Sequence, residues 1–171
     1  MNLESEILKE HSKRNAEKIP RWIGNDPKRF EQLMKLFLYG EYRVVQRSAW
    51  IVSLCTEQFP SLIAPWLSKM INRSQDAEVH DAVKRNVLRA LQFIYIPKSL
   101  QGKVVNICFD FLHSSDTPIA VKVFSMTVLA NIAKNEPDLK SEVILVIQEM
   151  LPYGGPAIVS RAKKVLKQLS R

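Results

Sequence analysis

The cations are the residues of this chain whose types and spacing could most clearly carry chemistry. The stretch DAVKRNVLRAL, residues 81–91, places Lys84, Arg85 and Arg89 within six residues. At helical spacing such side chains can bind the phosphate or carboxylate groups of a partner, or form ion pairs inside a scaffold. The main functional question is therefore whether these cations meet a partner or hold the protein together.

The positive charge is unevenly distributed along the chain. The chain has 25 Lys and Arg against 17 Asp and Glu, a formal net charge of +8. Residues 82–109 contain five Lys or Arg and no acid, and residues 150–171 contain another five and no acid. Clustered positive charge suits either an acidic protein partner or a nucleic-acid backbone, whose phosphates supply affinity by counterion release.

The residue types of catalysis and metal binding are scattered. His11, His80 and His113 have no acid or nucleophile at a recognisable spacing. Cys55 and Cys108 lie far apart without a second Cys or a close His, which predicts reduced, buried thiols rather than a disulfide or a zinc site. The five glycines form no phosphate-binding loop. We therefore predict no catalysis, no metal and no cofactor.

Composition and the apolar pattern predict a globular, cytoplasmic protein. Apolar residues make up 46% of the chain and charged residues 25%, enough for a substantial core. The first twenty residues are charged throughout, which is not typical of a signal peptide. No apolar run approaches the length needed to span a bilayer.

The elements that must position the cations repeat at about 38 residues. Val45, Val83, Val121 and Ile158 are evenly spaced, and apolar or small residues follow each one at steps of 4, 7, 8 and 11, more loosely in the first unit. These steps mark one face of an α-helix. Each such helix follows another apolar segment that opens near a proline; these prolines are Pro27, Pro60, Pro97 and Pro137. With no sustained alternation of apolar and polar residues, the pattern predicts an all-α array of helix pairs.

The second helix of each pair resembles the HEAT repeat family. A Val followed by Lys or Arg, then a small residue and an Ala-Leu or Val-Leu pair, occurs in VKRNVLRAL and VKVFSMTVL. The resemblance implies a right-handed α-solenoid that forms a single domain over residues 1–171. We expect this domain to be a monomer or a dimer formed by end-to-end stacking. It comprises an N-terminal capping helix over 2–19 and repeats over 27–58, 60–95, 97–134 and 137–170.

The resemblance also implies structural roles for some cations. HEAT proteins carry an acid in the loop and a cation six residues later, and these form a ladder between neighbouring repeats. Glu78 with Lys84 and Asp116 with Lys122 match this spacing. The first and last units depart from it, so the ladder is expected in the middle of the array.

The concave surface lined by the second helices is the expected binding site. Cations at its edges and apolar residues along its middle suit an acidic or amphipathic peptide or helix. Basic residues of the last helix extend the basic edge. The candidate partner-binding residues are Arg47, Trp50, Arg85, Leu88, Arg89, Lys163, Lys164 and Lys167.

A structural interpretation competes with binding at each of these positions. Trp50, Leu88 and Met126 could pack between adjacent second helices, with the N-terminal helix folded over Trp50. Arg85 and Arg89 could be a solvated face, and the lysines of the last helix a polar cap.

The functional alternatives differ in the partner. HEAT-like proteins include DNA glycosylases for alkylated bases, but no aromatic-lined pocket with a lone Asp is evident here. An adenylosuccinate lyase assignment is not supported, because the chain lacks the Ser-rich loop with a Met-Pro-x-Lys core. The leading prediction is a non-catalytic scaffold for an acidic or amphipathic protein partner, with nucleic-acid binding as the alternative.

Overall fold

All regular elements in residues 1–170, the part of the chain that the computed structural model describes, are helices. The α-helices are α1 Leu3–Lys9, α2 Lys13–Ile23, α3 Pro27–Tyr39, α4 Tyr42–Gln58, α5 Leu67–Arg73, α6 Asp81–Leu91, α7 Lys98–His113, α8 Ile119–Ala133, α9 Pro137–Met150 and α10 Pro156–Leu169. A 3₁₀ helix, Pro60–Trp66, precedes α5. The predicted all-α fold is confirmed. The chain divides into two compact units, unit 1 over residues 1–94 and unit 2 from Tyr95 onward.

The predicted apolar stripe forms the core of each unit. Val45, Val83, Val121 and Ile158 are all buried, with at most 5% of their surface exposed. In unit 1, α4 packs against α1, α2, α3, the 3₁₀ helix and α6. In unit 2, α8 packs against α7, α9 and α10. The helix pairs therefore bury the face that the repeat spacing marks, apart from Ile94 and Leu166, which are half-exposed.

Local signals explain where the first helix pair starts and turns. The Asp26 carboxylate accepts hydrogen bonds from the backbone N–H groups of Lys28 and Arg29, at 2.9 and 3.2 Å, and so caps α3. Gly40 ends α3, its N–H donating to the Leu36 carbonyl at 3.0 Å. A side chain at Gly40 would place its Cβ 2.5 Å from that carbonyl oxygen, so the turn into α4 requires glycine.

The N-terminal segment differs from the single capping helix predicted over 2–19. It forms two helices, α1 and α2, because the Ser12 hydroxyl accepts a hydrogen bond from the Asn15 N–H at 3.1 Å and starts a new helix. The buried Asn15 amide then donates to the carbonyls of Glu6 and Glu10, at 2.7 and 3.3 Å, which fixes the corner between the helices. The sequence signal was present in Ser12, a preferred N-cap residue type.

The segment after Pro60 also differs from the continuous helix that was predicted. Its first turns are a 3₁₀ helix, and α-helical geometry begins only at Leu67. Pro65 lies within this stretch and has no N–H to donate to an α-helical hydrogen bond, which explains the delayed start.

Replacing the α3 cap should destabilise the fold. Asp26→Ala removes the acceptor for two N–H groups and is expected to lower the free energy of unfolding by about 1 kcal/mol. Glu41→Ala is the matched control, since Glu41 occupies the N-cap position of α4 without a side-chain cap hydrogen bond. Urea unfolding followed by circular dichroism measures both. Equal losses in the two variants would contradict the capping role.

Candidate interaction surfaces

Arg89 links α6 to α4. Its guanidinium donates to the Glu57 carboxylate at 2.7 Å and to the Ser53 hydroxyl at 3.1 Å. The Arg89 side chain is only 24% exposed. Arg89 therefore holds two second helices of unit 1 together, and its guanidinium already has internal acceptors.

Buried polar groups extend this link into the core. The Ser53 hydroxyl lies 3.2 Å from the Asn86 amide oxygen, and the Asn86 amide nitrogen donates to the Ala82 carbonyl at 2.7 Å. Both Ser53 and Asn86 are buried. Buried polar groups of this kind destabilise a fold unless they are hydrogen-bonded, so the network fixes the register of α6 on α4. Sequence reasoning missed Asn86; the signal was a polar residue among the apolar positions of α6.

Arg47 caps the end of α1. Its guanidinium donates to the backbone carbonyls of Leu8 and Ile7, at 2.7 and 3.4 Å. The last carbonyls of a helix lack intrahelical partners and carry the negative end of its dipole, so a cation there is stabilising. Arg47 thus has a structural contact within unit 1.

The apolar middle of the predicted groove is occupied by protein in unit 1. Trp50 is half-buried, and its ring lies edge-on to His11 with the centroids 6.3 Å apart. Leu88 is 1% exposed and belongs to the core. Leu88 thus has the buried position that the structural alternative describes, and the N-terminal segment contacts Trp50 through His11.

Arg85 differs from the other candidates in unit 1. It is exposed, one turn before Arg89 on α6, and it forms no hydrogen bond or ion pair with any residue in the range 1–170. Its guanidinium is therefore available to an outside anion.

The last helix carries one cation that joins it to α8 and three cations that are exposed. Arg161 donates to the Thr127 hydroxyl and Gln168 donates to the Asn131 side chain at 3.4 Å, both joining α10 to α8. Lys163, Lys164 and Lys167 are exposed, and none forms an ion pair within the described part of the chain. They form a continuous basic surface, which we name the α10 lysine ridge.

The expected acid and cation ladder is not formed at either position. Lys84 instead lies 3.8 Å from Asp81, one turn away on its own helix, and Glu78 is exposed. Asp116 accepts a hydrogen bond from the Ser115 hydroxyl at 3.1 Å, and no ion pair joins it to Lys122 within residues 1–170.

The histidines act as packing and capping groups. The His80 Nδ1 accepts the Ala82 N–H at 2.9 Å and caps α6, while its Nε2 lies 3.0 Å from the Gln46 amide. The His113 ring stacks on Phe109, with centroids 6.1 Å apart. No group of three or more His, Cys, Asp or Glu in residues 1–170 is arranged to hold a metal ion.

The thiols are unsuited to nucleophilic chemistry. Cys55 and Cys108 are both buried, and burial raises the pKa of each thiol to about 12. The thiolate, which is the reactive form, is therefore scarce near neutral pH. Among the described helices, none combines the length and apolar character needed to cross a membrane.

Comparison with known proteins identifies the class to which this fold belongs. A family model described as a HEAT repeat domain matches residues 3–169. The chain is therefore a member of the HEAT repeat family, an α-solenoid built from helix pairs. Domains of this family commonly serve as protein-interaction scaffolds and are generally non-catalytic.

A solved structure supports the same fold. The crystal structure of an engineered protein from the Northeast Structural Genomics Consortium is similar to this chain, with a TM-score of 0.63 and 20% sequence identity. The similarity covers 96% of this chain and 78% of the engineered one. No curated protein sequence gives a significant match.

The two arginines of α6 should differ in their contribution to stability. Arg89→Gln removes the charged bonds to Glu57 and Ser53, and we expect it to lower the free energy of unfolding by about 1–2 kcal/mol. Arg85→Gln should change the free energy of unfolding by less than about 0.5 kcal/mol, because it breaks no hydrogen bond or ion pair with the described residues. Chemical denaturation of both variants makes the comparison. A large loss in Arg85→Gln, or none in Arg89→Gln, would contradict the assignment.

The buried thiols should be unreactive in the native state, and their raised pKa should make the free energy of unfolding depend on pH. We expect slow reaction with a disulfide reagent near pH 8 and fast reaction of both thiols after unfolding. Folding raises their pKa from an ordinary 9.0 to about 12, so the native state retains protons that the unfolded state releases. Their contribution to stability is thus lost as pH rises above about 9. Rapid native labelling would contradict the buried placement.

Proposed function

We propose that this protein is a non-catalytic scaffold that holds an acidic or amphipathic segment of a protein partner. The observation that carries the proposal is the α10 lysine ridge, whose exposed ammonium groups have no counter-ion within the described chain. Arg47 and Arg89, by contrast, are held by internal acceptors. Cations without internal partners are the ones available to the carboxylates of a partner.

The expected role of the ridge is to steer and orient rather than to supply most of the affinity. Each exposed ion pair contributes about 0–1 kcal/mol and weakens with salt. Complementary charge mainly raises association rates and selects among partners. A partner of useful affinity must therefore also present apolar side chains, which is why an amphipathic segment fits better than a purely acidic one. Arg85 offers a further exposed cation in unit 1.

Nucleic-acid binding is the second candidate function. It is favoured by the row of three lysines on one helix face together with the net charge of +8. A phosphate backbone would give affinity that falls steeply with salt and is indifferent to apolar side chains. An amphipathic peptide would retain part of its affinity at high salt, so the two candidates can be distinguished by one titration.

Charge reversal on the ridge should weaken binding to an acidic partner. We expect the triple variant Lys163→Glu, Lys164→Glu and Lys167→Glu to weaken binding of a labelled helical Leu/Glu peptide by about tenfold or more at low salt. Fluorescence anisotropy across a salt series measures this, with labelled duplex and single-stranded DNA and RNA alongside.

The control is a second triple reversal with the same change in net charge. Lys9→Glu, Arg14→Glu and Arg21→Glu alter exposed cations of α1 and α2, so they test for an effect of net charge alone. Equal losses in the two triple variants would refute a specific role for the ridge. Steeply salt-dependent binding of nucleic acid, lost in the α10 variant, would favour the second candidate.

A further inference from the structure

Unit 2 contains a cleft that the sequence did not indicate. It is an open cleft of about 440 Å³ beside the turns of the α7/α8 and α9/α10 pairs. Its floor includes Leu112, Val146 and Ile158, all of which are buried apolar residues. A space of this size, lined by both apolar and polar side chains, can accommodate a small ligand or the anchor side chain of a peptide.

Two large apolar side chains border the cleft in solvent. Tyr153 is 92% exposed and Ile119 is 58% exposed. Single exposed apolar residues are common, but here two of them line the same cleft as the buried apolar residues of its floor. Tyrosine also contributes strongly to protein interfaces, where its ring can be buried while the hydroxyl keeps a polar contact.

The turn that carries Tyr153 is closely packed. Pro152 and Pro156 border it, and the Tyr153 N–H donates to the Met150 carbonyl at 3.3 Å. A Cβ at Gly154 would lie 2.6 Å from Ile158 Cγ2, so the backbone approaches the cleft floor as closely as glycine allows. The backbone of Tyr153 is thus held in this turn before any partner binds, which reduces the backbone entropy lost on binding.

Charge at the cleft favours one kind of occupant. Lys122 lines it, is half-buried, and lacks the ion pair with Asp116 that its sequence position predicted. A partly desolvated ammonium without a counter-ion attracts a carboxylate more strongly than a fully exposed one does. Glu149 also lines the cleft and would repel a polyanion. A single carboxylate next to an apolar group therefore fits better than a nucleic-acid backbone.

We infer that this cleft binds an apolar side chain of a partner peptide, with a neighbouring carboxylate of the same peptide paired to Lys122. The inference rests on the proposed scaffold function and assigns to it a site separate from the α10 lysine ridge. The ridge steers an acidic segment, whereas the cleft anchors it.

The test uses methyl-labelled full-length protein and the capped peptide acetyl-Ser-Phe-Leu-Glu-amide, which carries a single carboxylate, as the probe. We expect saturable shifts of the Ile119, Met150 and Ile158 methyl signals. Tyr153→Ser and Lys122→Met should each weaken the binding about tenfold, by loss of apolar contact and of the ion pair respectively. Tyr39→Ser is the matched control, because Tyr39 is 71% exposed but lies in unit 1.

The outcomes separate this inference from the proposed function. Absence of shifts at the cleft, or equal binding of a peptide with Ser in place of Phe and Leu, would overturn the inference. Peptide binding that is lost on reversal of the α10 lysines but unchanged by Tyr153→Ser and Lys122→Met would also overturn it, while leaving the scaffold function intact. Unchanged thermal unfolding confirms that each variant folds. If Lys122→Met does not fold, Lys122→Gln takes its place.

Discussion

In each unit, the rest of the structure depends on the packing of one central helix, which is the second helix of a helix pair. In unit 1, α4 has five helical neighbours, and in unit 2, α8 packs against α7, α9 and α10. The sequence of α8, IAVKVFSMTVLANIA, carries a single charge, as expected for a helix that is apolar on nearly all sides. Such helices have little surface left for a partner, so function must use what lies at their margins.

This constraint divides the cations by what surrounds them. Arg47 and Arg89 each reach two acceptors on a neighbouring helix, a geometry that the planar, multidentate guanidinium suits well. Their bonds fix the positions of α1 and α6 on α4. Arg85 and the α10 lysine ridge have no such acceptors among residues 1–170. The basic composition of the chain thus reflects both internal cross-links and exposed charge.

The sequence predicted the fold better than the site, for a physical reason. Burial of Val83 follows from helical spacing, which local sequence contains. Arg85 and Arg89 have the same chemistry one turn apart, and what separates them is Glu57, 32 residues away from Arg89. No local pattern reports such a partner. The expected ion pair of Lys122 with Asp116 failed for another reason, since Asp116 instead accepts a hydrogen bond from its neighbour Ser115.

Native-state hydrogen exchange of the whole chain tests the central packing claim most directly. If α4 and α8 are the centres of their units, their amides should exchange last, at rates close to those set by global unfolding, while α1 and the end of α10 exchange through local opening. Protection in α4 or α8 no higher than in α1 would contradict the account, because the surfaces left for function could then no longer be deduced from the packing of these two helices.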